Sequence, residues 1–411
     1  MTLASRREGL GRPFALLWQS SLVSNLADGL GRTAVPLIAT TLTRDPVLIA
    51  GIGAIAFVPW LLFGMPAGVL VDRVDRRKAM AIANGLRVVM ALVLALSITT
   101  DTLSIWLLYG VVLVFGMGET VYDTAALALM PDTVKRSQLE RANGRLNATQ
   151  TVVDGFIASP VSGLLFGVAI SLPVWSTLAG FAAAAGLILL LPRAVGRPLA
   201  EPGAEARAGS VRRELVDALQ FIRRHRYLRG LVAVNCVTGF FNSLGQAVIV
   251  LLYIEHFRTP EAAIGFVYAG VSVGAVLGSL SAEGIVSRFG RGRALIAGSV
   301  LDGIGLIGAG AAPEVFSSVA FFAIAGFGVA LWNVPWGAVR QELVPGHMLG
   351  RAVGAIRTIT WGAFPLGTLA GGWLGRAGLT LPTIIGGALV ILSTLVAARL
   401  LLATPARVVD Q

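Results

Sequence analysis

Charge is scarce in this chain, and so are the residues that enzyme and metal sites recruit. Only 13% of its 411 residues are Asp, Glu, Lys or Arg, with one cysteine and three histidines. A soluble domain of this size needs far more charge to cover its surface. The single Cys236 excludes an intramolecular disulfide and any cysteine-cluster metal site. The scattered histidines leave no ligand constellation, and no cofactor is expected. No Gly-x-x-x-x-Gly-Lys-Ser/Thr loop occurs, so ATP is not a direct energy source. Lysine is almost missing, with 2 against 31 arginines, which together with abundant alanine points to a GC-rich bacterial source.

Apolar sequence fills the space. Hydrophobic residues make up 55%, mean hydropathy is +0.78 and there are 50 glycines. The chain divides into continuous apolar runs of roughly 20 residues, the length that spans a hydrocarbon core. A β-barrel would show short alternating strands instead. The fold class is therefore an all-α polytopic membrane protein. Its net charge of +11 does not imply a nucleic-acid partner, because the basic residues gather in every second connection. Arg6, Arg7 and Arg12 precede the first span, and further groups fall at Arg73–Lys78, Lys135–Arg145, Arg193–Arg229, Arg288–Arg293 and Arg340–Arg351. The alternate connections carry only Arg44, Arg258 and Arg376. This positive-inside pattern places both termini in the cytoplasm. The first span is too long for a cleaved signal and is expected to stay.

Twelve spans are expected, near 14–42, 47–71, 79–100, 103–130, 146–170, 172–191, 227–254, 261–286, 294–311, 315–339, 352–375 and 380–403. Between the sixth and seventh, Pro192–Gly209 reads as a linker and Val211–Arg226 as an interfacial amphipathic helix, with Val211, Leu215, Ala218, Leu219 and Ile222 on one face. The domains are thus an N-terminal six-helix bundle (1–191), a cytoplasmic linker (192–226) and a C-terminal six-helix bundle (227–411). The halves repeat each other. Gly116-Met-Gly118 … Leu139-x-Arg141-Ala142-x-Gly144 aligns with Gly326-Phe-Gly328 … Leu349-x-Arg351-Ala352-x-Gly354 at an offset of 210. Asp28-Gly-Leu-Gly31-Arg32 aligns with Asn242-Ser-Leu-Gly245-Gln246 at 214, and Asp72-Arg73 … Lys78-Ala79 with Ser287-Arg288 … Arg293-Ala294 at 215. A parallel six-plus-six repeat is the internal symmetry of alternating-access carriers.

The first-half loop, Gly68-Val-Leu-Val-Asp72-Arg73-Val-Asp75-Arg76-Arg77-Lys78, resembles the signature Gly-x-Leu-x-Asp-Arg-x-Gly-Arg-Arg/Lys of the major facilitator superfamily. Trp18-Gln-Ser … Leu26-Ala-Asp28 and the Val-x-x-x-x-Leu-x-Arg-Ala-Asn-Gly block ending at Gly144 resemble its export branch, which includes enterobactin exporters and macrolide-efflux proteins. Gly155-Phe-Ile-Ala-Ser159-Pro160-Val-Ser162-Gly163 approximates an antiporter motif with two glycines replaced by serine. The resemblance implies a fold of two pseudo-symmetric bundles and a loop that latches them on the cytoplasmic side through Gly68, Asp72, Arg73 and Arg76, with Asp72 accepting from Arg76 or a helix N-terminus. It also implies a bend at Pro160 that hinders leakage. Asp75 departs from the expected glycine, and the arginine that many drug/proton antiporters carry midway along the fourth helix is missing.

Ionisable residues inside membrane spans are costly and therefore functional candidates. Asp28 is a candidate proton-coupling acid, with Arg32 one turn on as its partner or a substrate contact and Asn25 on the same face. Glu119 and Asp123 lie one turn apart beside Tyr122, and two carboxylates this close in low dielectric cannot both ionise cheaply, which suits proton exchange. Asp154 is a further candidate and could equally pair with Arg145. Their repeat partners are neutral: Asn242, Gln246, Val329 and Asn333. Arg357, Trp332, Trp336, Trp361, Phe240 and Phe241 would suit a wall for a bulky substrate, although such aromatics are commonly packing. Arg87 and Asp302 are repeat-matched and read as packing. Gly64-x-x-x-Gly68, Gly270-x-x-x-Gly274-x-x-x-Gly278 and Gly367-x-x-x-Gly371 predict close helix crossings.

The expectation is a monomeric transporter of the bacterial inner membrane, exchanging a bulky amphipathic drug, siderophore or metabolite for protons among membrane lipids. A lipid or lysolipid flippase, or a non-transporting sensor or assembly module, would use the same scaffold. The intramembrane acids count against the module.

Overall fold

The structure is a computed structural model, and it describes residues 10–192, 195–196, 219–345 and 349–404. The chain runs through α1 (Gly11–Leu42), α2 (Pro46–Arg73), α3 (Arg76–Thr99), α4 (Ile105–Leu129), α5 (Leu139–Val152) and α6 (Leu172–Leu189). It then passes to α7 (Arg226–Gln246), α8 (Ile264–Phe289), α9 (Arg291–Ala311), α10 (Val315–Leu343), α11 (Leu349–Gly375) and α12 (Leu381–Val396). Among the described residues, 9 helical segments are long and apolar enough to cross a membrane by length and composition, and α12 is a shorter apolar helix. The fold is two six-helix bundles.

Helix starts follow local chemistry. Pro46 opens α2 behind Asp45, whose carboxylate accepts from the Val47 N–H at 3.0 Å. Asp75 does the same for α3, accepting from Arg77 N–H at 3.0 Å and Lys78 N–H at 3.3 Å. The acid that departs from the loop signature is therefore an N-cap. Its repeat counterpart, Gly290, has φ of 85° and joins α8 to α9 in a backbone conformation that favours glycine.

Two expected spans need correction. The fifth helix begins at Leu139, not near 146, because Glu140, Arg141 and Arg145 extend helix beyond the apolar run. It continues through a π-helical turn, Val153–Ala158, into Ser159–Val168. The seventh is interrupted after Gln246 and resumes at Ile249. Residues 211–218 of the expected amphipathic helix lie outside the described residues; 219–224 are helical and Ile222 is buried against α7 and α10.

The core is divided unequally. One apolar cluster joins both halves at the end away from the basic loops, bringing Ile38, Leu108 and Phe166 together with Val250, Tyr253 and Phe322. At the basic end each half has its own cluster, one around Phe14, Met80 and Leu129 and another around Leu231, Trp336 and Ile356. Glycines report the same division. A Cβ on Gly163 of α5 would lie 2.7 Å from the Ala262 carbonyl oxygen at the entry to α8, and one on Gly372 of α11 would lie 2.6 Å from Ala50 Cβ of α2. Towards the basic end of these four helices, Gly68, Gly144, Gly284 and Gly354 face open space. The bundles are closed at one end and parted at the basic end.

Candidate functional site

A cavity of about 750 Å³ lies between the halves, bounded by α1, α2 and α4 on one side and α7, α8 and α11 on the other. Asp28, Arg32, Glu119 and Asp123 line it from the first half, and Asn242, Gln246, Arg357 and Trp361 from the second. A second cavity of about 610 Å³ extends into the C-terminal half, walled by Asp302, Trp332, Asn333, Trp336 and Arg340. The two share Phe57, Asn242, Arg357, Trp361 and Phe364.

The ionisable residues converge, but with different partners from those expected. Asp28 does not pair with Arg32. Its Oδ2 takes the Arg87 Nη1–H at 3.3 Å, and both side chains are almost wholly buried. Asn84 Oδ1 accepts from the same nitrogen at 3.2 Å, and the guanidinium sits 4.9 Å from the Phe181 ring. Arg32 points into the cavity instead, bound to Glu119 and, at 3.3 Å, to Asp154 Oδ2. Asp154 reaches Arg32 because the π-helical turn carries it, while Arg145 stacks on Trp18 at 4.0 Å. Side-chain pairing across helices depends on helix rotation, which the sequence does not display. The repeat match between Arg87 and Asp302 was the available signal: one charge per half at one position.

Other expected contacts fall elsewhere. Tyr122 faces away from the cavity and is 1% exposed, sharing a hydrogen bond with Ser20 Oγ at 2.9 Å. It is a core residue. Asn25 is half-buried and lies outside the walls of both cavities. Trp332 is buried at the second cavity, where its indole N–H donates to Asn235 Oδ1 at 3.2 Å, and Asn333 is exposed to that space. Arg357 has indole faces on both sides, Trp361 at 3.9 Å and Trp60 at 4.3 Å, the latter from the opposite half. Phe57 and Trp60 of α2 meet Trp361 edge to face with centroids 6.2 and 5.9 Å away. Sequence reasoning passed over this pair because aromatics in membrane helices are common.

The loop residues are also rearranged. Arg76 Nη1 donates to Asp132 Oδ2 at 3.0 Å and to the Ala128 carbonyl at 3.1 Å, so its acid partner is Asp132 at the end of α4. The second half keeps this clamp at the same repeat positions: Arg291 binds Glu342 through two bonds of 2.6 Å. Asp72 lies in the last turn of α2, and its side chain falls outside the described residues. Arg73 is exposed. Gly68 makes no close crossing, nor does Gly64. The other two glycine series do: a Cβ at Gly274 or Gly278 would strike the α10 backbone, and one at Gly367 or Gly371 the α7 backbone. Pro160 lies two residues after the end of the π turn at Ala158, so the register break in α5 precedes it.

Residues 10–409 match the family of transmembrane secretion effectors. The chain belongs to this family of the major facilitator superfamily. Among its relatives, macrolide efflux protein A of Streptococcus pyogenes is 25% identical over 345 residues, covering 82% of this chain and 83% of that protein. The enterobactin exporter EntS of Shigella boydii serotype 4 is 27% identical over 348 residues, covering 83% and 80%. In fold, the chain superposes on a bacterial homologue of the iron transporter ferroportin in an inward-facing state with a TM-score of 0.77 at 15% identity, covering 96% of this chain and all 100% of that one. A bacterial homologue of the lysosomal transporter Spinster gives 0.70 at 14% identity over 97% and 98% of the two chains. This major facilitator protein is a multi-pass membrane transporter, and its cavity stands where its two bundles meet.

Proposed function

We propose that this transporter exports a bulky amphipathic small molecule in exchange for protons. The observation that carries the reading is Arg32, held between Glu119 and Asp154 in a cavity that also contains Asp123. These four groups are three acids and a single base, while Asp28 is separately paired with Arg87. A proton arriving on Glu119, Asp123 or Asp154 loosens the hold on Arg32, and a substrate arriving at Arg32 competes with that proton. Asp28 stabilises the arrangement and joins the exchange when Arg87 moves. Tryptophans at Arg357 offer flat apolar faces beside a cation, suited to a molecule that is largely apolar with a few polar groups. The efflux relatives support both bulk and direction.

The arginines of the basic end support a cytoplasmic position for it, and on that reading the cavity opens inward. The moving bodies are 1–191 and 227–411, joined by 192–226. Gly68, Asp72, Arg73 and Arg76 border the parted end, where they would meet the other half on closure, and the break near Pro160 lies at the closed end. The driving force is the proton gradient, about 2.3 kcal/mol per charge per 100 mV. In liposomes, an imposed pH gradient should drive accumulation of a macrolide or of enterobactin, with protons moving oppositely. Glu119→Gln and Asp123→Asn should each lower the protons moved per substrate. Transport that proceeds with no proton movement in the wild type would overturn the coupling.

A further inference from the structure

Among the described residues, the C-terminal cavity holds a carboxylate that forms no ion pair. Asp302 of α9 is 6% exposed, and both its oxygens accept from Asn242 Nδ2, at 2.9 and 3.0 Å. Gln246 Nε2 in turn donates to Asn242 Oδ1 at 2.7 Å. Gln246 lines the larger cavity, Asp302 lines the smaller one and Asn242 lines both, so a row of amides connects the two spaces.

The internal repeat makes the site informative. The offsets of 214 and 215 place Asn242 on Asp28 and Asp302 on Arg87. Each half thus has a polar contact between its first and third helices at the same repeat position. In the N-terminal half the contact is acid to base and the charges cancel. In the C-terminal half it is amide to acid, and the charge remains. Among the described residues, the elements around Asp302 bring no cation into contact with it. Asn242 faces it from α7, and Gly328 meets its backbone from α10. Gly387 and Ile391 of α12 pack on the adjoining Gly303. The charged residues of the same cavity, Arg340 of α10 and Arg357 of α11, make no ion pair with it among the described residues. A buried carboxylate without a counter-charge is costly, and a proton removes that cost.

We propose that Asp302 is a proton-binding site of the C-terminal half. A hydronium in the cavity water gives its proton to a carboxylate oxygen and becomes water, leaving a neutral carboxylic acid. Release returns the proton to cavity water. The C-terminal half then has a carboxylate site of its own beside those of the N-terminal half. The consequence for transport rests on the antiport reading, whereas the protonation itself does not.

Infrared spectroscopy of the full-length protein in liposomes tests the site without a substrate. At neutral pH the wild type should show the C=O stretch of protonated carboxylic acid, sensitive to deuteration, and a component of it should be lost in Asp302→Asn and kept in Asp28→Asn. Asn242→Ala keeps the acid and removes its donor, so the band should shift in frequency. A band unchanged in both Asp302→Asn and Asn242→Ala would overturn the proposal, as would a wild type with no band. With a macrolide as probe, Asp302→Asn should exchange fewer protons per macrolide than wild type. If wild type moves macrolide without protons while the band behaves as expected, the antiport reading falls and the Asp302 site stands.

Discussion

Arg87 and Asp28 show what pairing does to a buried charge. Neither is exposed enough for water to replace the other, so removing one leaves the partner stranded. Such single losses cost about 3–5 kcal/mol, and removing both restores part of it. Arg87→Leu should therefore lower the unfolding temperature sharply, and the double variant Arg87→Leu/Asp28→Asn should recover part of the loss. Equal destabilisation by single and double variants would show that the pair is not coupled. Tyr122→Phe is a milder case. It deletes the bond to Ser20 and should cost about 1 kcal/mol, visible in a melt, with transport unchanged. The cluster of acids with Arg32 was legible in the sequence because charge inside a membrane span is rare. Which acid meets which base was not. Asp28 and Arg32 are neighbours along one helix, yet the rotation of α1 sends one to Arg87 and the other to Glu119 and Asp154.

At the scale of elements, the bounds of the helices followed their apolar runs where a cap marked the end, as at Asp45 and Ser104. They failed at α5, where charged helix protrudes beyond the apolar stretch and a π turn leaves no hydropathy signal. Asp75 is the instructive case, since it departs from the loop signature and yet, as a cap, begins α3. Asp75→Ala should cost about 1 kcal/mol and Asp75→Gly only a few tenths, which thermal unfolding of the two variants would separate. The paired clamps Arg76–Asp132 and Arg291–Glu342 fasten the start of the third helix of each half to the end of its fourth. They were hidden because their acids lie more than fifty residues from their arginines. The glycine series divided: those facing α10 and α7 are crossings, and Gly64 and Gly68 are not.

For the whole molecule, the closed end is held by ion pairs between the halves. Arg376, just after α11, binds Asp45, the cap of α2, at 2.9 and 2.5 Å, and Arg44 reaches Glu255 at 3.5 Å. Arg376 above all, helped by the Val47 N–H, holds the Asp45 carboxyl below its ordinary value. A depressed carboxyl pKa stabilises above the unfolded value, about 3.9, and that contribution is lost as pH falls through the lowered one. The latch should therefore stay intact through neutral and mildly acid pH. The melting difference between wild type and Arg376→Gln should vanish only below about pH 4; a difference lost near neutrality would exclude this pair as the latch. Gly68 belongs to the parted end. Gly68→Leu should change stability by less than about 0.5 kcal/mol in the state with that end open, yet slow transport by obstructing closure. Normal transport rates in that variant would mean that Gly68 stays clear of the opposite half.

Arg357 lies between an indole of its own bundle and one from the other. Trp60 and Trp361 also touch across the same boundary. Any rocking of the bundles must part these rings or alter their tilt. The emission of two tryptophans is thus tied to the distance between the halves, and the protein carries an optical gauge of its own cycle at the point where the substrate would sit.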